Sequence, residues 1–179
     1  MLDRHDLHFP SDHPDLQTPA PSNSIRRLWD RLSPLPGGAT LFSFLIGRKA
    51  PYTGTIRPRV RKLREGYACV AMTDRRPVRN HLDSIHAVAL LNLAEVTSGL
   101  ALHYGLPNHA RAILTGLEIE YLKKARGHLV AEARAPVPAA TEREELTLIC
   151  EVFDASGDAV ARARAAWLVG PRAEAGRPA

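Results

Sequence analysis

At 179 residues the chain is long enough for one domain with a substantial core, and its 45% apolar content is that of an ordinary globular protein. Its longest apolar run is interrupted by Asn92 and Glu95 and falls well short of the roughly 20 residues a membrane span requires. The net charge of +5 forms no block of like sign, since Pro58, Val60 and Leu63 break up its densest run, RPRVRKLR. With no helix-turn-helix signal, zinc-finger spacing or basic–aromatic interleaving, nucleic acid is excluded as a partner.

Residues 1–23 carry Pro10, Pro14, Pro19 and Pro21 among polar neighbours and read as a disordered or loosely docked arm. The start lacks the apolar segment of a signal peptide, which points to the cytoplasm. The two cysteines, Cys69 and Cys150, sit in apolar segments and read as small core residues, not a disulfide framework. His5, His8 and His13 with Asp3 and Asp6 are an incidental cluster, because a Pro-rich arm does not preorganise a metal site. No metal is expected.

Residues 24–50 predict two helices. Ser24 is the expected N-cap of the first, with Ile25, Leu28, Trp29 and Leu32 on one face; ATLFSFLIGR, apolar nearly all round, is the second. APYTG is expected to turn the chain. The domain proper, 51–170, then changes to a period of two: strands in TIRPRVRKLREG and YACVAMTDRR are separated by Glu65-Gly66, and Pro58 places the first at an edge or a bulge. Residues 84–102 have a period near 3.6 and predict one long apolar helix. Four strands follow. The first should set Ile113, Thr115, Leu117, Ile119 and Tyr121 on one face; the third should do so with Leu146, Leu148, Cys150 and Val152; ASGD is a hairpin turn, and 171–179 is a polar tail. The order implies an α+β protein: an antiparallel sheet of about six strands wrapped around a long central helix, with N-terminal helices added.

The stretch RNHLDSIHAVALLNLAE then stands out. Asn80 and His86 lie at the entrance to the apolar helix, and Glu95 follows His86 by nine residues inside it. Together with the later LEIEYLKKARG, these residues resemble the hotdog superfamily of acyl-CoA thioesterases, in particular the DUF4442 family and, more distantly, the phenylacetate-pathway (PaaI-like) thioesterases. The likeness spans about 51–169. Those thioesterases pair an Asn, a His-Gly-Gly and an acid nine positions after the His; here Ala87 and Val88 stand where the two glycines would be. The HFP near the start superficially resembles a hotdog dehydratase motif, but the Pro-Gly that should follow is missing.

The resemblance implies hydrolysis of an acyl-CoA to free acid and CoA at the interface of a homodimer or a dimer of dimers. No cofactor is implied beyond the CoA of the substrate itself. A helix N-terminus offers unpaired N–H groups and a positive dipole end, which suit a thioester oxyanion. Asp83 or Ser84 is expected to cap that end, His86 and the Ala87 N–H to meet the carbonyl, and Glu95 to act as general base or nucleophile. Asn80 would brace the loop or touch substrate, and Ser98 would orient the Glu95 carboxylate or the water. At about 100° per residue, Ser84, Val88, Leu91, Glu95 and Ser98 share a stripe. His86 falls opposite Glu95, so it serves the same site only if it precedes the regular helix or if a twofold mate supplies one partner. The competing reading is plainer: a surface acid, a packed histidine, a loop asparagine, and solvated basic residues at Arg57, Arg59, Lys123, Lys124 and Arg126 in place of a phosphate site. The alternative function is non-catalytic binding of acyl-CoA or a fatty acid. A hydratase is a third, for which the usual Asp-x-x-x-x-His context is absent.

Overall fold

The computed structural model describes residues 23–172. The arm, its histidine cluster and nearly all of the polar tail lie outside them. The elements run α1 (Ser24–Leu32), α2 (Gly38–Lys49), α3 (Pro51–Thr55), β1 (Arg59–Arg64), β2 (Tyr67–Thr73), α4 (Ala87–Gly105), β3 (Ala110–Tyr121), β4 (His128–Arg134), β5 (Glu144–Phe153) and β6 (Ala159–Pro171). The six strands form one antiparallel sheet in the order β1-β2-β4-β5-β6-β3.

The sheet can curl round α4 because many of the residues it turns inward are short. Ala68 on β2, Ala131 and Ala133 on β4, and Ala161 and Ala163 on β6 are all buried in one cluster with Leu90, Leu93, Ala94, Leu100 and Ala101 of the helix. Alanine against leucine lets backbones approach without voids, and burying a leucine here contributes roughly 2 kcal/mol. The predicted inward face of β5 follows the same logic: Leu148, Cys150 and Val152 are buried. Both cysteines are free and buried, and burial pushes the Cys150 thiol up to about 12, so neither is a reactive nucleophile.

Four local expectations are corrected. Asn23, not Ser24, caps α1, accepting from the Arg26 N–H at 2.9 Å. Residues 51–55 are a short helix rather than a turn: Pro51 opens it, and a Cβ on Gly54 would lie 2.6 Å from the Gly47 carbonyl oxygen, so this helix packs on α2 through two glycines. The first strand therefore begins at Arg59, after the left-handed Arg57. Finally, β3 does not keep one face. A bulge between Leu114 and Gly116 shifts its register: Ala112 and Leu114 turn partly inward before it and Leu117 and Ile119 after it, which leaves Ile113 exposed, while Tyr121, on the face of Leu117 and Ile119, is exposed at the strand's end.

The first two helices seal two borders of the sheet–helix sandwich. Trp29 of α1 meets Phe42 of α2 edge-on at 5.0 Å. The Ser43 hydroxyl accepts from the Val60 N–H at 2.9 Å, beside the bulge of edge strand β1. At the far edge of the sheet, β3 pairs with β6 on one side and, among the described residues, with no strand on the other.

Candidate active site

The loop that delivers the chain to α4 is held by residues near 125–127. Asp74 is its anchor: its carboxylate accepts from Arg79 at 2.6 Å and from the Gly127 N–H at 3.0 Å. Burial alone pushes the Asp74 carboxyl up, but these hydrogen bonds overcome it and hold the group below the ordinary carboxylate range. Further on, the Ile85 N–H donates to the Ala125 carbonyl and Arg126 donates to that of Asp83. Asn80 closes the turn between them. Its side-chain oxygen accepts from the Leu82 N–H (2.9 Å), the Ser84 N–H (3.2 Å) and the Ser84 hydroxyl (3.1 Å). That oxygen is fully engaged within the loop.

The helix starts at Ala87, three residues later than expected. Neither Asp83 nor Ser84 caps it. Asp83 sits exposed in a left-handed conformation (φ 51°), and Ser84 is buried with its hydroxyl given to Asn80. The cap is His86: its Nδ1 accepts from the Val88 N–H at 3.1 Å. A ring nitrogen that accepts here carries no proton, so the ring N–H is at Nε2. The His86 carbonyl takes the Ala89 and Leu90 N–H groups, so of the first turn's donors the Ala87 N–H is left without a partner among the described residues. Tyr121 reaches this turn from the end of β3 and donates to the Ala87 carbonyl at 3.2 Å.

Glu95 is half-buried on the stripe that begins with Val88, which is itself 43% exposed. Ser98 does not serve its carboxylate: the serine is fully buried, and its hydroxyl donates to the Glu95 main-chain carbonyl at 3.1 Å. Ser84, outside the helix, leaves the stripe altogether. His86 does precede the regular helix, yet nine residues at 1.5 Å each still separate it from Glu95 by about 13 Å along the axis. One copy of the chain does not bring the two together.

A groove of about 260 Å³ opens beside this helix end, between α3, the 3-10 turn Arg76–Val78, and the first turns of α4. Tyr52, Ile56, Val78, His86, Val88 and Asn92 are among its lining residues. Arg75, donating to the Thr55 carbonyl, ties α3 to the wall opposite.

The family model described as a domain of unknown function, DUF4442, matches residues 38–169. The chain belongs to the DUF4442 family. Among solved structures it is similar to a structural-genomics target at 31% identity, covering 83% of this chain and 99% of that one with a TM-score of 0.71. It is also similar to a Pseudomonas aeruginosa protein of unknown function designated a probable thioesterase (22% identity, 77% and 97% covered, TM-score 0.64). A third is a Haemophilus influenzae thioesterase (14% identity, 70% and 87% covered, TM-score 0.61). No curated protein matches. The sheet and its central helix are the hotdog fold.

The DUF4442 match takes in α4 and most of the sheet around it. Among the described residues no group of three His, Cys, Asp or Glu side chains is placed to hold a metal ion, and no helix is long and apolar enough to cross a membrane. Of the basic residues singled out for phosphates, Lys123 is held by Asp154 and Asp158, each at 2.7 Å, and Arg126 by the entry loop; Arg57 and Arg59 are exposed near α3. Sequence reasoning passed over two residues of the site. Tyr121 read as one more strand position. Asn92 read only as a break in an apolar run, although a polar amide among buried helix residues is itself a signal.

Proposed function

We propose that this protein hydrolyses an acyl-CoA thioester at the start of α4, in a homodimer whose second copy completes the site. The observation that carries the reading is the open end of a largely buried helix: the Ala87 N–H without a partner among the described residues, exposed His86 with its N–H at Nε2, and a groove alongside. The thioester oxygen takes those donors, and negative charge developing on it is met by the helix dipole. Glu95 removes a proton from water as the water oxygen attacks the carbonyl carbon. The C–S bond then breaks, the thiolate takes the proton, and the acid leaves. Glu95 and His86 are about 13 Å apart in one chain, so Glu95 of one copy acts on a carbonyl held by the other. The bare edge of β3, with Ile113 48% exposed, supports a second copy docking there, strand to strand.

The second reading, a protein that binds acyl-CoA or a fatty acid without hydrolysing it, is favoured by one feature: side chains at Ala87 and Val88 narrow the approach to the opening turn. Assaying a panel of acyl-CoAs with the full chain and with Glu95→Gln separates the two. Hydrolysis that survives the substitution sinks the role of Glu95. Thermal stabilisation by acyl-CoA with no turnover in either protein selects the binder. A monomer by light scattering at assay concentration rules out the shared site.

A further inference from the structure

We infer that Asn92 reads the ligand in the groove beside α4, its side-chain oxygen accepting a hydrogen bond from a donor carried by an otherwise apolar segment. Asn92 is only 3% exposed. Its Nδ2 donates to the Tyr52 carbonyl at 3.2 Å, and this fixes the amide's orientation, since the flipped form would set two acceptors against each other. Oδ1 is then buried without a partner. Among the described residues only one other buried side-chain atom shares that condition, Trp167 Nε1, and Trp167 does not line this groove.

An orphaned buried acceptor is destabilising, and for folding alone a leucine of similar shape would serve better at this position. The groove explains its presence. At about 260 Å³ it is several times the roughly 30 Å³ share of a water and smaller than a site for a whole acyl-CoA, so it takes a segment. Tyr52, Ile56, Val78, Val88 and Ala89 give that segment apolar wall beside the polar Thr55, Arg79 and His86, and among these lining residues Asn92 alone carries a buried side-chain acceptor with no partner among the described residues. Asn92 lies six residues beyond His86, roughly 9 Å along the axis. A ligand whose reacting carbonyl rests on the opening turn therefore presents to Asn92 a group several bonds away. This placement rests on the proposed function. The donor has two sources: a hydroxyl on the acyl chain, or an amide N–H on the pantetheine arm.

Binding is measured by calorimetry on the full chain and on Asn92→Leu, using S-(2-oxoalkyl)-CoA thioethers, which keep the carbonyl and cannot be hydrolysed. The series comprises unsubstituted chains, chains of equal length with the hydroxyl at successive carbons, and CoA alone. If the acyl hydroxyl is the donor, one hydroxyl position binds at least about tenfold more tightly than the plain chain, and Asn92→Leu removes that preference while holding the plain chain as well or better. If the pantetheine amide is the donor, the leucine variant loses about tenfold on every thioether and on CoA alike. Equal binding of every compound by both proteins overturns the inference and leaves a water as the partner of Oδ1. Asn92→Ser, too short to reach the same donor, replaces the leucine variant should that one not fold. Turnover of acyl-CoA with Asn92 immaterial defeats this inference only; absence of turnover with the Asn92 preference intact defeats only the hydrolase reading; no binding by any thioether defeats both.

Discussion

At its C-terminal end α4 gives its last carbonyls to a dedicated partner. The Asn23 amide donates to those of His103 (2.6 Å), Tyr104 (3.3 Å) and Leu106 (2.6 Å) while its oxygen caps α1. Tyr104 is tied to Asp30 at 2.6 Å, and Leu100, Ala101, Leu102 and Gly105 are all buried. At the N-terminal end the same helix is capped by its own histidine, leaves the Ala87 N–H unpartnered, exposes Val88 and hides an unpaired amide oxygen. One helix thus has a closed end that serves folding and an open end whose polar groups are unspent. Damage to the closed end should read out as stability, and damage to the open end as ligand chemistry.

The sharpest separation is Glu95→Gln. The amide keeps the shape and cannot take a proton, so hydrolysis should fall by at least about a hundredfold with the melting temperature nearly unchanged. A variant that melts much earlier would mean that Glu95 belongs to the folding half, and the division between the ends would fail. Asn23→Ala is the mirror case. It removes one helix cap and the donor to three carbonyls, and should cost about 2 kcal/mol in urea or thermal unfolding while kcat stays near the wild-type value. Gly99→Ala should have a smaller effect of the same kind. A methyl there would lie 3.2 Å from the Trp167 ring, and the repacking outweighs the gain in helix propensity for a net loss of about 1 kcal/mol. Loss of activity without loss of stability in either variant would break the comparison from the other side.

What the sequence made readable follows the same division. Residues 84–102 announce the buried rod because apolar side chains at helical spacing have few other uses, and the two-residue period on either side announces the sheet. The spacing of Asn80, His86 and Glu95 directed attention to the start of that helix. The first turn itself was misplaced by three residues, because Ser84 satisfies capping chemistry in sequence but is consumed by Asn80 in space. His86, a less usual cap, takes over. The bulge in β3 was passed over for a different reason: alternation predicts one face until a register shift moves the pattern to the other, and Gly116, an isolated glycine of the kind that marks such a shift, was read only as room for close approach. Asn92 could be seen, but its unpaired oxygen is a property of what Tyr52 offers from 40 residues away.

The smallest effect concerns pH and tests the closed end without a change of sequence. His103 packs edge-on against Trp167 at 5.5 Å, and its Nδ1 lies 2.7 Å from the Gly99 carbonyl. Burial lowers its pKa below the ordinary histidine value of 6.5 and outweighs the hydrogen bonds to main-chain carbonyls, which act the other way. The folded state thus binds the proton less readily than the unfolded chain. The associated stability is fully present above about pH 6.5 and is lost as the pH falls toward the depressed folded value. Unfolding midpoints measured between pH 7.5 and pH 5 should decline through that window, and His103→Gln, which cannot titrate, should flatten the decline. Because His103 belongs to the closed end, the same substitution should leave the pH profile of acyl-CoA hydrolysis unmoved. A shift in that profile would couple the two ends of α4, and the helix would then have to be treated as a single responsive element.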